Sequence, residues 1–189
     1  ITIHGFSDVY NMQEAPAILK RGIKLNLPFD KQSRTYQDET TAAQKAIPNV
    51  WDMSFWKTFF DETARNRYNV ISIWSDHPFT SMIKMDDYPN VAIQNVTGYD
   101  GYFKTMSIDD KIVFWKQVMA YAKTRGFEFL IFNWNLFTWG ANGKYGITND
   151  ISNTATINYM RKCMTTLFET YPDLDGFGIT QGESMTPDD

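Results

Sequence analysis

The stretch SFWKTFFDETARNRYNVISIW, from Ser54 to Trp74, decides the fold that we predict for this chain. Apolar side chains recur at helical spacing between Phe55 and Ala64, which is typical of a helix with one buried face. The residues that follow, Tyr68 to Trp74, are rich in β-branched and aromatic types, as buried strands are. The stretch therefore predicts a helix followed directly by a strand.

The same pattern recurs on both sides of this stretch. The further predicted strands are Ile23–Leu27, Phe127–Phe132 and Asp175–Thr180. A second helix begins after the capping residue Ser107 and ends at Gly126. A third helix runs from about Thr154 to Tyr171, before Pro172. The side chains of this third helix that we expect to face inward are Ile157, Met160, Met164, Leu167 and Phe168.

The alternation of strands and helices indicates an α/β protein whose parallel strands are joined by right-handed helical crossovers. The predicted strands start at residues 23, 68, 127 and 175, and eight units of this spacing would need on the order of 400 residues. We therefore predict a (β/α)8 TIM barrel, of which this chain holds roughly the first four βα units. A doubly wound sheet is the alternative. Strand order separates the two, because a barrel half keeps the chain order and a doubly wound sheet reverses direction.

Two segments follow from this architecture. Residues 1–20 are predicted to be a lead-in segment from a preceding domain, and residues 21–189 the N-terminal half of a catalytic barrel. The chain opens Ile-Thr-Ile-His without a start Met, so we expect it to be processed or cut from a longer protein. An open half-barrel leaves two edge strands bare, and we expect missing chain to supply the remainder of the barrel.

Composition excludes several classes of function. The 189 residues carry a formal charge of −4, which argues against nucleic acid or an anionic membrane surface as the main partner. One cysteine, Cys163, permits no internal disulfide, and two histidines cannot form a multi-histidine metal site. No apolar run has the length of a membrane span. Phosphate-binding glycine motifs and the nucleophilic serine motif are absent, so we predict neither a cofactor nor a metal.

Polar and aromatic residues follow each predicted strand, where parallel α/β folds place their binding sites. The candidate substrate-binding residues are Asn26, Trp74, Asp76, His77, Asn133, Asn135, Trp139 and Gln181, and the candidate catalytic residue is Glu183. Asp, Asn and Gln bind hydroxyl groups, and an indole ring packs against the C–H face of a sugar. Cleaving a glycosidic bond needs a proton donor, and apolar neighbours would raise the pKa of Glu183 for that role.

Each candidate also has a structural interpretation. Asp76 could cap a turn before Pro78, and His77 fits a packed loop histidine better than a general base. Trp74 and Trp134 could fill a barrel interior. Trp139 lies among glycines in a loop and is the better candidate for a sugar-stacking platform.

The chain also resembles a family of enzymes. Glu14-Ala15-Pro16 with Lys20 to Asn26 resembles the entry into the catalytic barrel of α-glucuronidase and β-N-acetylhexosaminidase-type glycoside hydrolases. Ala64 to Trp74 is similar to their passage from helix to second strand, and Gly178 to Glu183 to their fourth strand and its acid. The resemblance implies a TIM-barrel glycosidase with Glu183 as the general acid.

One departure separates the two types within this family. Substrate-assisted hexosaminidases carry an Asp directly before the acid, whereas this chain has Gly182. The Asn-Glu pair of many retaining glycosidases is missing as well. The α-glucuronidase pattern, in which the bases lie on later strands, therefore fits better.

The sequence thus predicts a glycoside hydrolase that acts on a poly- or oligosaccharide and is secreted or periplasmic. A non-catalytic carbohydrate-binding barrel and an unrelated enzyme on a doubly wound sheet are the alternatives.

Overall fold

The computed structural model describes residues 16–33, 35, 45–134 and 137–180. Five helices and six strands lie in these ranges. The strands are β1 (Gly22–Asn26), β2 (Val70–Ser75), β3 (Val96–Thr97), β4 (Phe103–Lys104), β5 (Glu128–Trp134) and β6 (Gly176–Thr180). The helices are α1 (Ile47–Val50), α2 (Met53–Arg65), α3 (Phe79–Met82), α4 (Ile108–Thr124) and α5 (Thr154–Thr170).

Four strands form one parallel sheet in the order β1-β2-β5-β6, which is their order along the chain. Asn26 lies beside Trp74, Trp74 beside Phe132, and Trp134 beside Thr180. The prediction of consecutive parallel strands is confirmed, and the order of the four described strands does not reverse, as it would at the switch point of a doubly wound sheet. The described sheet is open, with β1 and β6 at its edges.

The three long helices begin at side-chain caps. The Asp52 carboxylate accepts the Ser54 backbone N–H at 2.9 Å before α2. Before α4, Ser107 and Asp110 cap each other's backbone N–H groups as a capping box. These local contacts fix where the helices start, so the helices lie close to the predicted ranges.

One face of the sheet, the helix-side face, packs against α2, α4 and α5. Its strand residues include Ile71 and Ile73 on β2 and Phe129 and Ile131 on β5, all buried. The Phe129 ring lies 6.3 Å from Trp115 of α4. These residues belong to one hydrophobic core between helices and sheet.

The opposite face, the open face, carries the alternate strand residues, and no described helix covers it. Its members are Lys24, Asn26, Ser72, Trp74, Leu130, Phe132, Trp134, Gly178 and Thr180. Phe132 lies so close to β6 that a Cβ atom on Gly178 would fall 2.1 Å from its ring. Gly178 is therefore required by the packing of Phe132, which explains a glycine inside a strand.

The buried stripe of α5 differs from the predicted one. Thr156, Tyr159, Cys163 and Leu167 are the buried residues, whereas Phe168 is 44% exposed. The prediction that Phe168 faces inward is wrong. The Tyr159 hydroxyl can be buried because it has a buried hydrogen-bond partner, the His77 ring.

The segment between β2 and α4 holds structure of its own. It contains α3 and the antiparallel β3–β4 hairpin. Buried Asp30, which follows β1, accepts the backbone N–H of Thr97 at 2.5 Å and that of Gln32 at 2.8 Å. Asp30 therefore ties the loop after β1 to this hairpin at the carboxyl side of the sheet.

Candidate active site at the carboxyl edge of the sheet

The carboxyl ends of the four strands place polar and aromatic residues along one edge of the sheet. Asn26 ends β1 and is partly exposed, Trp134 ends β5, and Thr180 ends β6. The loop after β5 returns to this edge, because the indole of Trp139 contacts the residue directly after β2. The edge is therefore built from strands and loops that are distant in sequence.

Trp74 links β2 to β6 across the open face. Its indole Nε1–H donates to the Thr180 hydroxyl at 2.9 Å, although β5 lies between the two strands. The Lys24 ammonium lies 5.2 Å from the centre of the same ring. With 4% of its surface exposed, Trp74 forms the floor of this edge rather than an open platform.

Three more rings continue from Trp74 to the loop after β5. The Trp74 and Trp134 centroids lie 5.6 Å apart, Trp134 and Phe137 5.2 Å, and Phe137 and Trp139 5.5 Å, the last two nearly parallel at 10°. We call Trp74, Trp134, Phe137 and Trp139 the aromatic row. All but Trp74 are partly exposed, and none belongs to the hydrophobic core.

A buried carboxylate holds the far end of the aromatic row. Asp76, 1% exposed, accepts the Trp139 indole N–H at 3.0 Å through its Oδ2 atom. A hydrogen bond to a charged acceptor is stronger than a neutral one and fixes the direction of the donor. Asp76 therefore sets the orientation of the Trp139 ring.

His77 turns toward the helices. Its ring is fully buried, and Nε2 lies 2.8 Å from the Tyr159 hydroxyl on α5. Burial lowers the pKa of His77 from 6.5 to about 3, and the backbone of Phe137 offsets only part of that shift. A buried neutral ring offers no surface to a sugar, so in this structure His77 supports the loop that carries Asp76.

Asn133 is the most unusual polar group near this edge. It is fully buried on the helix-side face, and neither amide atom has a hydrogen-bond partner within the described ranges. Leaving a buried polar group unsatisfied is costly, so such a group needs an explanation. A bound water or ligand group would satisfy it.

Three of the predicted residues, Asn135, Gln181 and Glu183, lie outside the described residues. Among the others, the structure joins Trp74, Asp76 and Trp139 through the aromatic row, with Asn26 beside Trp74 in the sheet register. Over the described ranges, no group of three or more His, Cys, Asp or Glu side chains could hold a metal ion.

Thr180, Phe137 and Tyr159 were not among the predicted site residues, although each contacts a predicted residue and Phe137 extends the aromatic row. A hydroxyl at a strand end and an aromatic ring in a glycine-containing loop are weak sequence signals alone. Tyr159 had a better sequence signal, because it lies at helical spacing from Thr156 and Cys163, and these three residues form the buried stripe of α5.

Comparison with known proteins finds similarity among solved structures. No known family profile matches the chain, and no curated protein matches it. Among solved structures, the chain is similar to a GH138 enzyme targeting pectin rhamnogalacturonan II, with a TM-score of 0.71 and 22% sequence identity over 96% of the chain. The chain spans 21% of the length of that enzyme.

This likeness shows that the chain shares the fold of one part of that enzyme. It does not distinguish the α-glucuronidase and hexosaminidase types that the sequence resembles. None of the helices in the described part of the chain is both long and apolar enough to cross a membrane.

Proposed function

We propose that the chain is the N-terminal half of a catalytic (β/α)8 barrel in a glycoside hydrolase that acts on a poly- or oligosaccharide. One observation carries the proposal: four parallel strands in chain order bring an aromatic row and polar side chains to a single carboxyl edge. Such edges are where barrel enzymes bind their substrates. The fold shared with a GH138 enzyme supports the same activity class.

The remainder of the barrel would come from further chain. β1 and β6 are edge strands of the described sheet, and Ile179 on β6 is 61% exposed. A parallel sheet is normally covered on both faces, and the open face has no described cover. Additional strands pairing with β1 and β6 would close the barrel around Lys24, Phe132 and their neighbours.

Glu183 is proposed as the general acid. It comes three residues after Thr180, at the carboxyl end of β6, where a carboxyl group would face a bound sugar. The proposed sugar-binding residues are Asn26, Asn135, Trp139 and Gln181, while the buried residues Trp74, Asp76, His77 and Asn133 support this edge. Secretion or a periplasmic location would suit a polysaccharide substrate.

The test compares Glu183→Gln with Glu128→Gln in the full-length protein. Glu128 is a matched control, since it begins β5 at the opposite end of the sheet and pairs with exposed Lys20 at 2.7 Å. On pectin rhamnogalacturonan II and other substrates with poor leaving groups, Glu183→Gln should lower kcat by about 10²-fold or more. Glu128→Gln should leave it unchanged. Equal activity in the Glu183 variant and the parent would refute the general-acid assignment.

Binding and hydrolysis measured together separate an enzyme from a non-catalytic binding barrel. In an enzyme, the parent hydrolyses the sugar and Glu183→Gln still binds it without hydrolysing it. If the parent binds pectin fragments but hydrolyses none, the carbohydrate-binding alternative holds instead.

A further inference from the structure

Building on the proposed function, we infer that Trp134, Phe137 and Trp139 form consecutive binding positions for successive sugar units, so that the protein grips a carbohydrate chain rather than a single terminal sugar. The inference concerns the described part of the aromatic row alone. It assigns Trp134 and Phe137 a binding role and makes Trp139 the outermost platform.

The three rings lie outside the core. Large apolar side chains normally enter the core, yet these three are partly exposed and lie outside the core on the open face and its loop. The Trp134 and Phe137 centroids lie 5.2 Å apart and those of Phe137 and Trp139 5.5 Å apart, a spacing that leaves a continuous apolar strip. A partly exposed aromatic strip edged by polar groups is typical of a ligand surface.

Polar side chains hold the strip at both ends. Trp74, below Trp134, is bonded to Thr180, and Trp139 is bonded to buried Asp76. A preorganised ring loses little conformational freedom when a ligand packs against it. Packing for stability alone would not require a buried carboxylate to orient a partly exposed indole.

The position of the proposed acid gives the strip a direction. Trp134 lies beside Thr180 in the sheet register, and Thr180 is three residues from the proposed acid. Trp139 is at the other end, over the segment that follows β2. Trp134 would therefore contact the sugar nearest the cleaved bond, and Trp139 a unit further along the chain.

The experiment measures binding to the full-length protein carrying Glu183→Gln, so that the probe survives. Isothermal titration uses pectin oligosaccharides sorted by length, from a single sugar unit upward. Affinity should rise with length, and adding Trp139→Ala should weaken binding of the longest probe by about tenfold while leaving the single sugar unchanged. Phe137→Ala should show an intermediate effect, and provides a second variant if Trp139→Ala fails to fold.

Phe168→Ala is the matched control, because that ring is 44% exposed on α5, away from the row. It should leave all affinities unchanged. Affinity independent of probe length, or equal losses for the single sugar and the longest probe, would overturn the inference and leave the proposed hydrolase intact. Hydrolysis by the parent enzyme, measured separately, decides the proposed function.

Discussion

The molecule uses aromatic rings in two different ways on the two faces of one sheet. On the helix-side face, Trp51, Trp56 and Trp115 are at most 1% exposed and pack with centroids 5.5 to 5.8 Å apart. In the aromatic row, the rings are just as close, yet three of the four are partly exposed. Ring spacing alone does not distinguish a core from a binding surface.

The hydrogen bonds of the indoles distinguish them. In the core, Trp51 and Trp56 donate to the backbone carbonyls of Phe29 and Val50 at 2.6 and 2.9 Å. In the row, the indoles of Trp74 and Trp139 donate to side chains, a hydroxyl and a carboxylate. A backbone carbonyl is present whatever the side chain at that position. A side-chain acceptor is present only where the sequence places a suitable residue, as it does at this edge of the sheet. Aromatic residues make up 16% of the chain, and the structure gives them two uses, packing in the core and a candidate ligand surface.

The largest expected difference between the two groups of rings is in stability. Trp115→Ala removes a fully buried indole and should lower the free energy of opening the sheet by about 3–5 kcal/mol. Phe137→Ala removes a partly exposed ring and should cost about 1 kcal/mol. Hydrogen exchange of the β5 amides in the full-length protein measures both. Equal losses would mean that the row is a part of the core.

The buried His77 should make the stability of the protein depend on pH. The folded pKa of His77 is about 3 and its ordinary value is 6.5, so between these values the unfolded state binds a proton that the folded state does not. Stability from this group is therefore lost as pH falls from 6.5 toward 3, by up to about 1.4 kcal/mol per pH unit.

Urea unfolding of the parent and of His77→Gln across this range measures the effect. The variant should lose less stability on acidification than the parent. Parallel pH profiles would show that His77 is not held neutral by burial.

The close packing of Phe132 against Gly178 on the open face predicts that an added methyl group at residue 178 destabilises the protein. Gly178→Ala places a methyl group against the Phe132 ring, and the ring or β6 must move. We expect a loss of about 1–3 kcal/mol. Gly143→Ala controls for the general effect of the added methyl group, since nothing lies within 4 Å of a Cβ atom there, although its positive φ adds a strain that Gly178 lacks. A neutral Gly178→Ala change in thermal unfolding would contradict the packing.

The smallest expected effect concerns the bond from Trp74 to Thr180. Thr180→Val keeps the shape of the side chain and removes the acceptor, and should cost about 1 kcal/mol. Thr180→Ser keeps the hydroxyl and should preserve the bond. If both variants unfold at the temperature of the parent, the bond does not hold β6 in place.

The fold was predictable because its signals are local. Ser107 and Asp110 define one helix start within four residues, and the run from Val70 to Trp74 specifies a buried strand by composition. Periodicity was less reliable for α5. Phe168 continues the apolar stripe in sequence, yet the helix is rotated so that Tyr159 and Cys163 are buried and Phe168 is not.

The site was predictable only by position. Strand ends identified Trp74 and Asp76, because parallel strands all end at one edge. Their partners were not predictable, since Trp74 and Thr180 are 106 residues apart in the chain and His77 and Tyr159 are 82 apart. No local pattern specifies which distant hydroxyl a buried side chain will contact.

The most direct test is a crystal structure of the full-length Glu183→Gln protein with a pectin oligosaccharide bound. We predict sugar rings in van der Waals contact with the aromatic row, and a second carboxylate about 5–10 Å from the side chain of residue 183. A structure in which further protein covers Trp134, Phe137 and Trp139, and the sugar binds elsewhere, would contradict the account.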